Sequence, residues 1–247
     1  MKKRLCCFIL AFILIAICQA GCGKKDNGMK KVVLNEVAHS IFYAPQYVAI
    51  EMGYFKDAGI DLVLETGFGA DKTMTALISG NADIGFMGSE STIYAYAEGS
   101  KDYAVNFAGL TQRAGNFLVA REKIDNFSWD MVKGKNVLGG RKGGMPQMVL
   151  EYILKANNID PASDLSIDQS VDFGLTAGAF SGNTEYDFTV EFEPGATSLE
   201  KEGKGYVVAS LGVDSGYVPY TAYSAKKSYI EKNPEIIKDF TSAIQKG

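Results

Sequence analysis

The chain has 247 residues and a formal net charge of −4, from 25 Lys and Arg against 29 Asp and Glu. Apolar residues make up 47% and charged residues 22%, which argues against a disordered, collagen-like or polytopic membrane protein. The acidic balance argues against a nucleic-acid partner, because nucleic-acid-binding surfaces are usually basic. The length predicts about two lobes.

The N-terminal segment has the pattern of an export signal. Basic residues from Lys2 to Arg4 precede an apolar run from Leu5 to Ile17. That run is shorter than the roughly twenty residues of a membrane-spanning helix, so it is typical of a secretory signal. We therefore predict that residues 1–21 are a signal peptide. Of the four cysteines, only Cys22 lies outside it, so the rest of the chain offers no disulfide framework or Cys-based metal site.

The residues around Cys22 resemble the processing site of a bacterial lipoprotein. Small residues, Ala20 and Gly21, precede Cys22, and a polar stretch follows it. The resemblance implies that Cys22 is lipidated, that residues 22–30 are a lipidated N-terminus and linker, and that the protein is anchored to the extracytoplasmic face of the cell membrane. A plain signal peptide is the alternative.

Predicted strands and helices alternate along the first half. Strands are predicted at residues 32–34, 60–65 and 83–86. Helices are predicted at 40–53, 71–80 and 89–98, with Ser40 and Asp71 as N-caps and Gly80 as a C-terminal stop. An alternating order of strand and helix predicts an α/β fold with mostly parallel sheets.

The second half repeats this order. Strands are predicted at 136–138, 165–167 and 187–192, and a small-residue helix at 174–180. Another helix carries Val149, Tyr152, Ile153 and Ala156 at the spacing of one helical face. We predict lobe 1 at residues 31–118, lobe 2 at 119–216, and a return to lobe 1 at 217–247. Apolar segments at 117–120 and 218–223 are the predicted crossings, and two crossings make a hinge.

Two segments resemble a known family. Tyr43 to Leu64 reads YAPQYVAIEMGYFKDAGIDLVL, and Leu77 to Phe86 reads LISGNADIGF. This ordered set resembles the solute-binding lipoproteins of ABC importers for sulfonates, taurine, nitrate and thiamine pyrimidine, and the resemblance extends past Asn233-Pro234-Glu235. Family members usually continue for further helices, so we expect the C-terminus to be truncated.

The resemblance implies a two-lobed fold of the periplasmic-binding-protein type (type II), with helices flanking each sheet and a ligand cleft between the lobes. It also implies a monomer that captures a small solute by hinge closure, without a cofactor, and delivers it to an ABC permease and indirectly to its ATPase. A ligand-sensing module for a signalling partner is the alternative, and an enzyme on the same fold is less favoured.

Catalytic motifs are scarce. His39 is the only histidine, no G-x-S-x-G motif is present, and Glu36 with His39 makes a poor metal site. The glycine-rich segment 139–144 does not match a phosphate-binding P-loop. Some relatives synthesise the thiamine pyrimidine with Cys and His residues, but the corresponding stretches here, 88–94 and 214–220, contain neither. The sequence therefore favours binding over catalysis.

Ligands of open α/β sheets bind beyond the carboxyl ends of the strands. The candidate ligand-binding residues at these positions, or just before a crossing, are Asn35, Glu36, Ser40, Phe42, Tyr43, Phe68, Gly69, Gly88, Ser89, Glu90, Thr111, Gln112, Arg141, Gly143, Phe173, Glu191 and Glu193. Glu191 and Glu193 share one face of a strand. This pair fits a ligand contact, a solvated strand end or, less well, the two carboxylates of a glycosidase.

Two signals about the charge of the ligand conflict. Arg141 and Lys142 precede a helix N-terminus, which favours an anion such as a sulfonate or nitrate. Four acids near the predicted cleft, Glu36, Glu90, Glu191 and Glu193, favour an amine. Our hypothesis is a neutral or amine-bearing heterocycle, such as a thiamine-pyrimidine precursor, hydrogen-bonded to Glu193 and Asn35.

Overall fold

A computed structural model describes residues 28–172 and 174–247. The predictions for the signal peptide, Cys22 and Phe173 therefore lie outside the described residues. Residues Lys31–Gly247 form one compact unit. No helix in the described part of the chain is long and apolar enough to cross a membrane.

Ten strands are described. They are β1 Lys30–Glu36, β2 Ile60–Thr66, β3 Ile84–Gly88, β4 Ala104–Thr111, β5 Asn116–Ala120, β6 Asn136–Leu138, β7 Ser166–Asp168, β8 Phe188–Phe192, β9 Tyr206–Ser210 and β10 Thr221–Lys226. All six predicted strands are present, each within two residues of its predicted bounds at either end.

The described helices connect these strands. They are α1 Ala44–Glu51, α2 Tyr54–Asp57, α3 Ala70–Ser79, α4 Glu90–Ala97, α5 Met145–Ala156, α6 Thr176–Gly182, α7 Gly195–Lys201, α8 Leu211–Asp214, α9 Lys227–Lys232 and α10 Pro234–Lys246, with 3-10 turns at Ile41–Tyr43 and Trp129–Val132. Gly80 ends α3 in the left-handed conformation, at φ 81°, as glycine C-caps do.

The strands form two five-stranded sheets, in the orders β2-β1-β3-β10-β4 and β7-β6-β8-β5-β9. With its helices, the first sheet forms lobe 1 and the second forms lobe 2, which confirms the predicted two-lobed α/β architecture. Both sheets are mixed: β1 is parallel to β3 and β6 to β8, whereas β10 and β5 are antiparallel to their neighbours. The antiparallel strands β5 and β10 are the first strands after each crossing, so no helical crossover sets their direction.

The chain crosses between the lobes at residues 112–115 and again before β10. The segment Phe117–Ala120, predicted as the first crossing, is instead β5 inside the second sheet. The two crossings are joined, because the backbone N–H groups of Val218 and Tyr220 donate to the carbonyls of Gln112 and Thr111. The two crossing segments therefore form a hydrogen-bonded hinge.

Each lobe has its own apolar core. In lobe 1, Leu34, Phe86 and Tyr223 from the sheet pack with Phe240 of α10. In lobe 2, α5 buries Val149 and Ile153, as predicted, together with Leu150 and Leu154. Tyr152 and Ala156, predicted on the buried face, are exposed, because the buried stripe is rotated towards Leu150 and Leu154. Phe42 packs against both cores, so the two lobes meet at this residue as well as at the crossings.

Candidate ligand-binding cleft

A cleft of about 1030 Å³ lies between the two lobes, where the carboxyl ends of the parallel strands face each other. Its volume is slightly above the range of about 300–1,000 Å³ that is typical of small-molecule sites. Nine of the candidate residues line it: Ser40, Tyr43, Gly69, Gly88, Glu90, Arg141, Gly143, Glu191 and Glu193. They come from both lobes, so a ligand in the cleft would contact both.

Other candidates lie beside the cleft rather than on its wall. Asn35 is buried, and its Oδ1 accepts a hydrogen bond of 2.8 Å from Thr73 Oγ1. Thr111 Oγ1 donates to Thr221 Oγ1 at 2.9 Å, and Ser89 Oγ donates to the carbonyl of Pro219. These side chains hold strands and the hinge together.

Three further candidates have structural surroundings of their own. Phe42 packs in the core near the hinge, with its ring centroid 5.5 Å from that of Phe192 and 5.7 Å from that of Tyr220. Gln112 lies in the first crossing and accepts a backbone hydrogen bond. Phe68 is 58% exposed at a positive φ of 57°, and it contributes its carbonyl rather than its ring to the cleft mouth.

Glu36 is part of lobe 1 and is absent from the lining of the cleft. Its carboxylate is fully buried and has four side-chain contacts: Gln46 Nε2 at 2.7 Å, Tyr47 OH at 2.9 Å, Thr66 Oγ1 at 3.2 Å and His39 Nδ1 at 2.9 Å. Both oxygens are therefore occupied. Glu36 ties β1 to β2 and α1, and the predicted contribution of its charge to the cleft is not supported by this geometry.

Glu90 begins α4, lines the cleft and is only 3% exposed. Its Oε1 receives a long hydrogen bond of 3.4 Å from Ser91 Oγ, and Oε2 has no hydrogen-bond partner among the described residues. Burial raises the pKa of this carboxyl to about 7, opposed by the backbone N–H of Glu90, the Ser91 hydroxyl and the backbone N–H of Met145, none of which gives Oε2 a hydrogen bond of normal geometry. Gly88 leaves room for the carboxylate, because a Cβ there would overlap it.

Glu191 lies at the carboxyl end of β8, on the wall contributed by lobe 2, and is 3% exposed. Its Oε1 accepts from Thr189 Oγ1 at 2.7 Å and its Oε2 from Thr176 Oγ1 at 3.0 Å. Burial raises the pKa of Glu191 to about 7, because two neutral hydroxyls only partly replace its hydration. No described cation forms an ion pair with either Glu90 or Glu191.

Glu193 also lines the cleft, but its carboxylate binds the N-terminus of α7. Oε2 accepts from the backbone N–H of Thr197 at 3.1 Å and Oε1 from Thr197 Oγ1 at 2.9 Å. A carboxylate at a helix N-terminus is stabilising, since it satisfies free N–H groups and complements the helix dipole. Glu193 thus follows β8 and stabilises a helix N-terminus, whereas Glu191 within β8 has only neutral hydroxyls as partners.

Arg141 spans the mouth of the cleft. Its Nη1 lies 2.9 Å from Asp172 Oδ1 in lobe 2, and its Nη2 lies 2.9 Å from Asp71 Oδ2 in lobe 1. Nη1 also donates to the carbonyl of Phe68 at 3.4 Å. Gly69, at a φ of 156°, permits this approach, because a Cβ there would overlap the guanidinium. We call these residues the clasp: Asp71, Arg141, Asp172 and the Phe68 carbonyl.

The clasp corrects one structural prediction. Asp71 is not the N-cap of α3, since Gly69 precedes that helix and Asp71 lies in its first turn. Its side chain turns to Arg141 instead, across the cleft. Two further contacts join the lobes: Tyr94 OH donates to Met148 Sδ at 3.1 Å, and Lys72 Nζ lies 4.0 Å from Asp172 Oδ2.

Reasoning from strand ends missed several lining residues. Among them are Asp71, Tyr94, Met145, Thr176, Tyr220 and Thr221. Thr176 and Met145 start helices that follow strands, so extending the strand-end rule to helix N-termini would have included them. Tyr220 lies on the second crossing and Thr221 begins β10, so the crossing predicted at 218–223 ends at Tyr220.

The lining of the cleft is acidic. It contains five carboxylates, from Asp71, Glu90, Glu98, Glu191 and Glu193, against two cationic side chains, Arg141 and Lys142, and the single His39. Arg141 is held between two aspartates. The backbone N–H of Gly143 donates to Gln147, so part of the loop before α5 is already occupied. The described residues hold no group of three or more typical metal ligands.

Comparisons with known proteins agree with this architecture. The sequence profile of the family described as NMT1/THI5 like matches residues 41–247. A Bacillus subtilis (strain 168) protein named "Putative binding protein YtlA" is 50% identical over 236 residues, which cover 96% of this chain and 70% of that protein.

Two solved structures are similar in fold at low sequence identity. The periplasmic aliphatic sulphonate binding protein SsuA from Escherichia coli is 18% identical, with a TM-score of 0.68, over 88% of this chain and 72% of that one. The periplasmic nitrate-binding protein NrtA from Synechocystis PCC 6803 is 17% identical, with a TM-score of 0.71, over 88% of this chain and 61% of that one.

Proposed function

Because this chain belongs to the NMT1/THI5-like family, we propose that it is the extracytoplasmic solute-binding component of an ABC importer. In this role it binds a small solute between its lobes, closes, and delivers the solute to a membrane permease without chemical change. The relative named as a binding protein and the two-lobed fold with a large interlobe cleft support this proposal. In this proposal the protein is a monomer. Lipidation at Cys22 would hold it at the outer face of the membrane.

We further propose that the solute is amine-bearing rather than anionic. The observation that carries this proposal is the contrast between Glu191 and Arg141. Glu191 presents a buried carboxylate to the cleft with only two threonine hydroxyls as partners. Arg141, the side chain best suited to bind an anion, already has an aspartate on each side.

An anionic solute is the second candidate, because the solved proteins of similar fold are named for sulphonate and nitrate. A sulfonate or nitrate at Arg141 would compete with Asp71 and Asp172 for the guanidinium. It would also enter a lining in which carboxylates outnumber cations. The electrostatic cost of this environment favours an ammonium or a protonated heterocycle.

Isothermal titration calorimetry of the purified protein tests this proposal. The probes are aminopyrimidines and alkylamines on one side, and alkanesulfonates and nitrate on the other. We expect an amine to bind and Glu191→Gln to weaken it about tenfold or more, since a hydrogen bond to a charged group is lost. Glu122→Gln, an exposed acid outside the cleft, is the matched control. Binding of a sulfonate or nitrate but no amine would contradict the amine proposal and leave the transport proposal standing.

A further inference from the structure

We propose that the solute carries two protonated amine groups, one bound by Glu90 in lobe 1 and the other by Glu191 in lobe 2. This inference rests on the proposed solute-binding function and adds a substrate class to it. Each wall of the cleft contributes one buried carboxylate. A compact dication, such as a short diamine or a heterocycle with two basic groups, complements both walls at once.

The first wall contains the less satisfied of the two carboxylates. Glu90 is 3% exposed, forms no ion pair with a described residue, and leaves Oε2 without a hydrogen-bond partner. A buried acceptor without a partner costs free energy in the absence of a ligand, and a buried carboxylate costs more. A cation in the cleft beside Glu90 removes this cost, so the geometry points to a ligand group and not to a structural role.

A second unpaired group lies near this carboxylate. The hydroxyl of Tyr220 is fully buried, lines the cleft and has no hydrogen-bond partner among the described residues. Glu90 lies close enough to Tyr220 and Tyr43 to act on the hydroxyls of both. An ammonium has three donors and no acceptor, so it can donate to Glu90 Oε2 and to the Tyr220 hydroxyl together.

The second wall repeats the arrangement with different partners. Each oxygen of Glu191 accepts one hydrogen bond, from Thr189 or Thr176, and a carboxylate oxygen has capacity for a second. Gly195 lies against Oε2, where a Cβ would come within 3.1 Å, so glycine lets the start of α7 pack closely on this carboxylate. The partners of Glu191 are uncharged, and its negative charge remains available to a ligand.

The two carboxylates are separate sites rather than one shared site. Glu90 begins α4 in lobe 1 and Glu191 lies in β8 in lobe 2, and they have no hydrogen-bond partner in common among the described residues. A ligand with two amine groups can pair with one carboxylate on each wall, and it would link lobe 1 to lobe 2 in the closed form.

Calorimetric titrations with matched amines test the proposal. The probes are α,ω-diaminoalkanes of two to six carbons and the corresponding 1-aminoalkanes, with wild type, Glu90→Gln, Glu191→Gln and the control Glu122→Gln. We expect one diamine to bind wild type at least about tenfold more tightly than its monoamine, because it makes a second charged contact. Each cleft variant should reduce that advantage to within about threefold, while the control keeps it.

The outcomes separate this proposal from the one on which it rests. If wild type binds the monoamine as tightly as every diamine, and Glu191→Gln still weakens binding, the second amine site is wrong and the amine proposal stands. If no diamine binds and a sulfonate or nitrate does, both are wrong. Tyr220→Phe supplies a second variant that retains the acids, and an unchanged diamine affinity in it would remove Tyr220 from the site. Circular dichroism spectra of all variants check that they fold.

Discussion

Glu36 and Glu90 lie at the carboxyl ends of two adjacent strands of the same sheet, yet they differ in how many hydrogen-bond partners they have. Glu36 at the end of β1 has four polar partners, whereas Glu90 after β3 has an oxygen with none. A buried carboxylate with all its partners in the protein acts as a tie between elements. A buried carboxylate with an unpartnered oxygen that faces a cleft destabilises the ligand-free protein, and a ligand can remove this destabilisation. The contrast therefore separates a structural acid, Glu36, from a binding acid, Glu90.

Removing the structural acid should have the largest effect. Glu36→Ala leaves Gln46, Tyr47 and Thr66 without their shared acceptor in a buried site. We expect the free energy of unfolding to fall by about 3–5 kcal/mol, as when one partner of a buried charged network is removed. Urea denaturation followed by circular dichroism at pH 7 measures the change. A loss below about 1 kcal/mol would show that the cluster is not a tie, because surface substitutions cost no more than that.

Neutralising the binding acid should act in the opposite direction. Burial raises the pKa of Glu90 from 4.5 to about 7, so the native state binds its proton more tightly than the unfolded state. Stability from this group is complete below about pH 4.5 and is lost as pH rises through about 7. We expect Glu90→Gln to stabilise the ligand-free protein by about 3 kcal/mol at pH 8, with the gain shrinking towards pH 4.

Glu191→Gln should behave in the same way, because burial raises its pKa to about 7 as well. Thermal melts of both variants between pH 4 and pH 8, with Glu122→Gln as control, measure the effect. Destabilisation by Glu90→Gln at pH 8 would contradict the distinction between Glu36 as a structural acid and Glu90 as a binding acid. Replacing a residue that is needed for binding often stabilises a protein while it reduces function.

The same ionisation should appear in ligand binding. Amine affinity needs the charged carboxylate, so we expect the affinity to rise about tenfold between pH 6 and pH 8 for each acid that ionises near pH 7. Tyr43 and Tyr220 face Glu90, but burial raises the pKa of both, so they stay neutral in this range. Calorimetry with the tightest amine measures the slope, and Glu90→Gln should reduce it. A flat profile in wild type would exclude these acids from the site.

The clasp should give the smallest change in stability. Arg141 is 29% exposed and Asp71 is 61% exposed, so solvent screens their ion pair. We expect Arg141→Gln to lower the free energy of unfolding by less than about 1 kcal/mol and to increase the solute dissociation rate a few-fold. Stopped-flow kinetics measures the rate, with Asp71→Asn as the matched variant on the other lobe. Loss of all binding in Arg141→Gln would instead place Arg141 among the ligand contacts.

Six of the described strands were predictable from sequence, and four were not. β5 and β10 were predicted as crossings, and β4 and β9, which lie beside them at the ends of the two sheets, were missed. β4 pairs with β10, and β9 pairs with β5. In each pair the partner strand lies far away along the chain. Local periodicity contains no information about such a partner, so only the assembled sheet defines these strands.

The candidate site was predicted in position but not in detail. Strand ends identified Glu90, Glu191 and Arg141 as cleft residues, and all three line the cleft. Their roles depend on partners from distant segments: Asp71 lies seventy positions before Arg141, and Thr176 fifteen before Glu191. The amide of Asn35, expected to bind the ligand, is buried against Thr73.

The sequence by itself determined the α/β alternation, the two lobes and the edge of each sheet at which the acids lie. These features follow from the spacing of apolar residues and glycines, which is local along the chain. Only the tertiary structure decided which acids are satisfied. Glu36 receives its donors from α1 and β2, and Glu90 receives none for its Oε2. Hydrogen-bond partners are set by which elements pack together, so the tie and the binding group are indistinguishable until the chain is folded.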